Sequence, residues 1–212
     1  MNTDILLRTE HLSFSYVPDK PVFSDLSAEL PKGVIGLMGP SGCGKSTFLD
    51  LICGHLKPTG GKILLPGPET TFSYDMQEDT LLPWMSVTDN LNLLQKGRSS
   101  RESISEWLDF VSLSADEVSE SYPAELSGGM KKRVQLARTL SCLADIFLFD
   151  EPFTGLDKPL KQQLLPRLKR YFTDKSLNVI IVSHDKEDLS FLCDRIFEWT
   201  NTDNGVSLAP VP

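Results

Sequence analysis

Cysteine is scarce in this chain. The four cysteines, Cys43, Cys53, Cys142 and Cys193, are scattered and form no C-x-x-C pair. Zinc and disulfide frameworks are recognised by closely spaced or regularly paired cysteines. The pattern therefore argues against both frameworks and favours the reduced thiols of a cytosolic protein.

Long hydrophobic runs are also missing. No apolar stretch approaches the roughly 18 residues that a bilayer-spanning helix needs. The first residues, Met1 to Asp4, lack the basic segment and apolar core of a secretory signal, so we expect none. If the protein works at a membrane, we expect another chain to hold it there.

Positive charge is in deficit, with 21 Lys and Arg against 29 Asp and Glu and a net charge of −8. Non-specific nucleic-acid binding depends on a basic surface, so this balance argues against it. A nucleotide site remains compatible with this net charge, because it needs only local positive charge. The 212 residues, 40% of them hydrophobic, suit one domain with a true core.

A glycine-rich segment stands between an apolar run, Val34 to Met38, and a stretch typical of a helix that begins near Phe48. Such a turn collects backbone N–H groups and the positive end of a helix dipole, which suits an anion with several oxygens. Its spacing, G-x-x-x-x-G-K-S, is the P-loop pattern in its strand–loop–helix context. The segment consists of Gly39, Pro40, Ser41, Gly42, Cys43, Gly44, Lys45, Ser46 and Thr47.

Polar side chains follow other predicted strands. Asp150 and Glu151 end the apolar run that begins at Ile146, and buried carboxylates are costly unless they meet a cation or donors. Their placement fits an aspartate that holds Mg²⁺ and a glutamate that polarises a water. His184 ends the run that begins at Val179; a packing histidine is the alternative. Gln77 follows the predicted strand from Thr71 to Asp75. Ligands of open α/β sheets gather at such strand ends, and the alternative is a glutamine in a surface turn.

Two further segments can contact a nucleotide. Tyr16 either stacks on a base or is a packed edge aromatic. Ser127, Gly128 and Gly129 open a helix and form a second anion-binding surface, although helices often start this way for capping alone.

The chain order predicts an α/β fold. We expect a P-loop NTPase core with a mostly parallel sheet, an N-terminal antiparallel β subdomain and an inserted α-helical subdomain. Residues 1–212 form a single domain, with residues 1–84 and 126–212 as core plus β subdomain and 85–125 as the helical subdomain. In the latter, we expect a cap at Thr88-Asp89, a loop over 97–103 and Trp107 in the core.

Three local features carry further expectations. The segment Leu81 to Trp84 looks like an exposed apolar cluster, with internal packing as the alternative. Pro166 is expected to kink or break its helix. A last edge strand is expected from Arg195 to Trp199, followed from Thr200 by a short tail without a further domain.

Taken together, the motifs resemble the ATP-binding subunit of an ABC transporter over nearly the whole chain. Around Gln77 and Trp84 the sequence is most similar to importer subunits for nitrate, sulfonates or taurine. The sequence departs from the pattern at Met130, where Gln is usual, and at Gly155, where Ala is commoner. The matching segments, in order, are Tyr16, Gly39 to Thr47, Gln77, Leu126 to Met130, Phe147 to Glu151, Leu156-Asp157 and His184.

The resemblance implies ATP hydrolysis with ATP and Mg²⁺ as cofactors. Glu151, His184 and Gln77 would be catalytic, and Ser46, Gln77 and Asp150 would hold the metal. Tyr16, the loop from Gly39 to Thr47 and the signature Ser127-Gly128-Gly129 would bind nucleotide, the signature on a second copy in a head-to-tail dimer.

The partners implied are a second copy, transmembrane permease subunits and, indirectly, a solute-binding protein, but no nucleic acid. The location implied is the cytoplasmic face of the inner or plasma membrane, as a peripheral protein. The short segment after His184 makes regulation by a C-terminal domain unexpected. Other functions left open are an export ATPase, a soluble ABC ATPase acting on ribosomes or DNA, and a non-hydrolysing regulatory module, against which Glu151 and His184 argue.

Overall fold

The computed structural model describes residues 4–93, 101–202 and 205–211, without the side chains of residues 101–103, 201, 202 and 205. A short 3₁₀ turn covers Pro123–Glu125. The strands are β1 (Ile5–Val17), β2 (Lys20–Pro31), β3 (Val34–Met38), β4 (Gly60–Leu64), β5 (Phe72–Asp75), β6 (Ile146–Asp150), β7 (Val179–Val182), β8 (Arg195–Thr202) and β9 (Gly205–Pro210). The helices are α1 (Lys45–Ile52), α2 (Val87–Asn92), α3 (Arg101–Phe110), α4 (Ala115–Val118), α5 (Gly128–Leu140), α6 (Lys158–Asp174) and α7 (Lys186–Leu192).

Two sheets organise these elements. The smaller is antiparallel in the order β2-β1-β4, and the larger has the order β5-β6-β7-β3-β8-β9. The neighbouring strands β5, β6, β7, β3 and β8 of the larger sheet are all parallel. Strand β9 runs antiparallel to its neighbour β8. This is the α/β architecture with an antiparallel β portion that the sequence predicted.

The larger sheet is covered on both faces, so its central strands are continuous apolar runs. Every residue of β6 and β7 is buried. Side chains alternate between two core clusters: Phe147 and Phe149 pack with the helices α2 to α6, whereas Ile146 and Leu148 pack with β1, β2 and α1. Parallel strands with both faces covered need this composition. No helix in the described ranges has the length and apolarity to cross a membrane.

The C-terminal part differs from the prediction. β8 is not an edge strand, because β9 pairs with it from Phe197↔Pro210 to Thr202↔Gly205. The short tail after Thr200, for which no strand was predicted, therefore contains the edge strand itself. Pairing with β8 supplies the hydrogen bonds that such a short segment cannot provide for itself.

Helix α6 runs through Pro166 without a break. A proline removes one backbone hydrogen bond, and here it lies on the exposed face while Leu164, Leu165 and Leu168 are buried on the other. Water can therefore solvate the freed carbonyl, and the packed face holds the helix together.

The helical segment also departs from expectation in detail. Ser86, rather than Thr88-Asp89, caps α2, because its Oγ accepts from the Asp89 N–H at 3.1 Å. Trp107 is half-buried and contacts Phe110 and Tyr171 edge-on. Of the predicted loop over 97–103, residues 97–100 lie outside the described residues, and α3 begins at residue 101.

Candidate active site

The loop between β3 and α1 depends on glycine at both ends. Gly44 precedes α1 with a φ of +97°, and a Cβ there would lie 2.7 Å from a Val22 methyl and 2.8 Å from the Phe23 ring. At Gly39 a Cβ would lie 2.8 Å from Trp199 Cβ. Only glycine fits these positions. Among the described side chains none caps α1, so its first N–H groups face the loop.

Lys45 is folded back onto this loop. Its ammonium donates to Gly39 O at 2.8 Å and to Pro40 O at 2.9 Å, and Cys43 Sγ lies 3.9 Å away. The side chain is buried and therefore poorly hydrated. A phosphate oxygen is a better acceptor for an ammonium than a carbonyl, so an anion in the loop competes for it.

A cavity of about 690 Å³ opens in front of the loop. This volume suits a drug-sized or nucleotide-sized ligand. Most of the residues predicted for catalysis and nucleotide binding line it. The lining consists of Tyr16, Val22, Ser41, Gly42, Gly44, Lys45, Ser46, Thr47, Gln77, Asp150, Glu151, Thr154 and His184.

Asp150 ends β6 inside this cavity and is 2% exposed. Burial raises the pKa of its carboxyl, and the hydrogen bond from Ser46 opposes that rise. Glu151 raises the pKa further, whereas Lys45 lowers it. A carboxylate and a hydroxyl side by side are oxygen ligands of the kind Mg²⁺ prefers, so the residues present fit that ion.

Glu151 and His184 meet because β6 and β7 are neighbours. Asp150 pairs with Val182 in the sheet, which places the next residues of both strands side by side. The His184 Nδ1 lies 2.9 and 3.0 Å from the two Glu151 carboxylate oxygens, and the Thr154 hydroxyl donates to the same group at 3.2 Å. Glu151 has a φ of +52°, a strained value for a residue with a side chain. This geometry aims its carboxylate into the cavity.

Two predicted residues lie at the rim. Gln77 is exposed just beyond β5, and the Lys132 ammonium fixes its backbone by donating to its carbonyl at 2.6 Å. Tyr16 is 61% exposed, packs edge-on against Phe14, and its hydroxyl is 3.1 Å from Thr47 Oγ1. An exposed ring anchored beside the loop is available for stacking.

The structure does not bring Ser127, Gly128 and Gly129 to this cavity. Ser127 caps α5 by accepting from the Met130 N–H at 3.3 Å, so its hydroxyl has a local role. Ser127 and Gly128 are exposed. Within one chain, this second N–H-rich surface is separate from the first.

Sequence reasoning missed some lining residues. Val22 and Thr154 line the cavity. Asp75 is not a lining residue, but its burial was also missed: it ends β5 beside β6 with 1% exposure. Thr154 has a sequence signal, because it stands three residues after Glu151, within reach of one turn. Asp75 has none, because nothing in a short strand says which residues face inward.

Comparisons with known proteins show which family the chain resembles. The profile of a family described as ABC transporter matches residues 23–154. The nitrate import ATP-binding protein NrtD of Synechococcus elongatus is 35% identical over 192 residues, or 84% of this chain and 69% of that protein. The aliphatic sulfonates import ATP-binding protein SsuB 1 of Rhodococcus jostii is 40% identical over 186 residues, or 86% of this chain and 73% of that protein.

A solved structure extends the likeness to the fold. The ATP-binding cassette MJ0796, determined as a dimer in a post-hydrolysis state bound to ADP and Pi, superposes with a TM-score of 0.81 at 24% identity. The superposition covers 91% of this chain and 94% of the cassette. At this identity the comparison establishes a shared fold.

Proposed function

This chain belongs to the ABC transporter family of ATP-binding proteins, and we propose that it is the ATPase subunit that powers import of a small solute through partner membrane subunits. One observation carries the proposal: a lysine, a buried aspartate and a glutamate–histidine pair converge on one cavity beside a glycine loop. The import roles in the names of its relatives favour import over export.

The nucleotide would be held by its phosphates. The loop amides and the first turn of α1 would receive them, and Lys45 would exchange its loop carbonyls for the β- and γ-phosphates. Ser46, Asp150 and Gln77 would hold Mg²⁺, which neutralises charge on the phosphates when bound. The exposed Tyr16 ring would stack on the base, a contact worth about 1–3 kcal/mol.

Hydrolysis needs a water in line with the γ-phosphate. Glu151 would orient that water and take its proton, since its carboxylate is aimed into the cavity and already accepts from Thr154. His184 holds the carboxylate in the resting chain and would reach the γ-phosphate once nucleotide is bound. Positioning and charge, rather than covalent chemistry, would supply the rate enhancement.

One chain would supply half of each working site. Ser127, Gly128 and Gly129 lie outside their own cavity, so they would contact nucleotide bound by a second copy. Two chains arranged head to tail would bury two ATP molecules. Hydrolysis would then add charge repulsion between the products and reopen the pair.

The membrane partner would dock beside Trp84. This side chain is 70% exposed and follows the exposed Pro83, whereas Leu81 is buried and anchors the loop. The segment of residues 85–125 would form the other wall, as a helical subdomain beside a core of residues 1–84 and 126–212. The chain would thus sit at the cytoplasmic face of the membrane, with a solute-binding protein acting through the permease.

Replacing Glu151 by Gln tests the catalytic assignment. The amide keeps the shape but cannot accept the proton, so we expect ATP binding to persist and turnover to fall by about 10²–10⁴. A stable ATP-bound dimer should then appear in size-exclusion chromatography. Glu69→Gln, at an exposed position away from the cavity, is the matched control. Hydrolysis by Glu151→Gln at the parent rate would refute the assignment of the base.

A further inference from the structure

We propose that three side chains at the C-terminal end of α1 form a binding site for a borderline divalent metal of the Zn²⁺ class. Asp50, Cys53 and His55 each offer one ligand atom, and these atoms lie within 4.8 Å of one another. The cluster is distinct from the nucleotide cavity, which lies at the other end of the same helix. It does not depend on the proposed function.

The chain path after α1 creates this cluster. Asp50 and Cys53 are three residues apart, so they share a face of the last turn. Gly54 then adopts a φ of +80°, and the Leu56 N–H closes the turn on Asp50 O at 3.1 Å. This reversal brings the His55 ring back over the helix end, with Nδ1 3.5 Å from Asp50 Oδ1.

The spacing fits tetrahedral coordination. Zinc lies about 2.0–2.3 Å from N, O and S ligands, so two atoms bound to one ion are about 3.3–3.6 Å apart. The carboxylate and imidazole already meet this value at 3.5 Å. The Cys53 thiol donates to Asp50 O at 3.6 Å, and its Sγ lies within 4.8 Å of the other two ligand atoms, so metal binding would need to draw it closer by about 1 Å at most. Three protein ligands leave the fourth position to water.

The donor set also selects the metal. Magnesium and calcium take oxygen ligands, whereas a thiolate and an imidazole favour Zn²⁺ and its neighbours. The carbonyl end of a helix is negative and favours a cation. On binding, the thiol releases its proton to solvent and the thiolate forms the S–metal bond, so affinity should rise with pH.

The cysteine spacing of the sequence argued against a zinc framework built from paired cysteines, and the proposed site is not such a framework. A single thiolate with a carboxylate and an imidazole is a different ligand set from paired cysteines. The structure offers a natural comparison, because His11 Nδ1 and Asp25 Oδ1 also form an exposed pair at 2.5 Å. The described contacts of that pair include no thiol.

Cobalt titration in reducing buffer without nucleotide tests the site. A tetrahedral complex with one thiolate should give visible d–d bands and a near-ultraviolet sulfur-to-cobalt band, both removed by added Zn²⁺. His55→Ala and Cys53→Ser should each weaken Zn²⁺ binding by at least about tenfold. Removing a residue that only hydrogen-bonds to a metal ligand costs about that much affinity, and removing the ligand itself should cost no less. The control variants His11→Ala and Cys142→Ser should bind like the parent.

Folding is checked separately by thermal unfolding without metal. His55 is exposed, and its contacts with Asp50 and the Tyr74 ring lie at the surface, so its replacement should shift that midpoint only slightly. Added Zn²⁺ should raise the midpoint of the parent but not of His55→Ala, because a ligand stabilises only the state that binds it. Equal Zn²⁺ affinity in parent and His55→Ala, or a cobalt spectrum without the sulfur band, would overturn the proposal.

Discussion

Asp75 is the side chain whose replacement should stabilise this protein at neutral pH. It ends β5 with 1% exposure, and neither carboxylate oxygen has a hydrogen-bond partner in the described part of the chain. Burial raises its pKa from 3.8 to about 7; the charges of Lys132 and Arg138 oppose the rise, and Asp150 adds to it. An ionised carboxylate without donors is costly to bury. Asp75→Asn removes the charge while keeping the volume.

The size of the effect follows from proton linkage. The folded chain keeps the Asp75 proton up to a pH of about 7, whereas the unfolded chain releases it near 3.8. The stabilising contribution of Asp75 is therefore fully present below its unfolded-state pKa. It is lost as the pH rises through its folded-state pKa. Each unit in that window costs about 1.4 kcal/mol, so the parent should lose about 3 kcal/mol between pH 5 and pH 8.

Denaturant unfolding of parent and Asp75→Asn at pH 5, 6, 7 and 8, without nucleotide or Mg²⁺, measures this loss. Groups that do not interact with Asp75 cancel in the difference, so the variant should gain stability over the parent as the pH rises. Asp145→Asn is the control of opposite sign. Thr71 donates to that carboxylate through its N–H and hydroxyl and lowers its pKa, so this variant should lose stability near neutral pH. Parallel pH profiles for parent and Asp75→Asn would refute the reasoning.

Substitutions at three further positions test the nucleotide site and the docking surface. Tyr16→Ala should weaken ATP binding by about 1–3 kcal/mol in a fluorescent-nucleotide titration. The control Tyr16→Phe keeps the stacking ring and loses only the contact with Thr47. Equal losses of ATP affinity in the two variants would exclude stacking. Gly44→Ala should lower the free energy of unfolding by about 1–3 kcal/mol in denaturant titrations, because its Cβ meets Phe23 at a left-handed φ, and an unchanged value would contradict that strain. Trp84→Ala should keep the basal ATPase rate and reduce transport in reconstituted vesicles; unchanged transport would remove the docking role.

The central part of the fold was predictable because its signals are local and reinforce one another. The run from Val34 to Met38 is continuous and apolar, the loop has fixed glycine spacing, and a helix follows it, although α1 begins at Lys45 rather than near Phe48. The same holds for the run that ends at Asp150. The resemblance to the ABC transporter family drawn from these motifs is confirmed by the profile match.

What the sequence missed depends on contacts between distant segments. In β5 a period-two pattern would turn the aromatic Phe72 and Tyr74 inward, yet Ser73 and Asp75 are the buried residues. Ser73 is satisfied because its hydroxyl donates to Thr139 O at 2.9 Å, a partner 66 positions away. β9 likewise exists only because β8 lies beside it. No local pattern reports such partners.

Under the proposed function, the contacts of the site without nucleotide would allow binding and hydrolysis to be separate events. The Lys45 ammonium is satisfied by loop carbonyls, and the Glu151 carboxylate is satisfied by His184 and Thr154, so the key charges are paired before ATP arrives. Incoming phosphates would replace the carbonyls as acceptors for Lys45, and this exchange would need no group from a second chain. A γ-phosphate close to both side chains would compete for His184 and release it from Glu151, and the Ser127 surface of a second copy would close that region against water. Nucleotide binding would therefore need one chain, whereas efficient hydrolysis would need two.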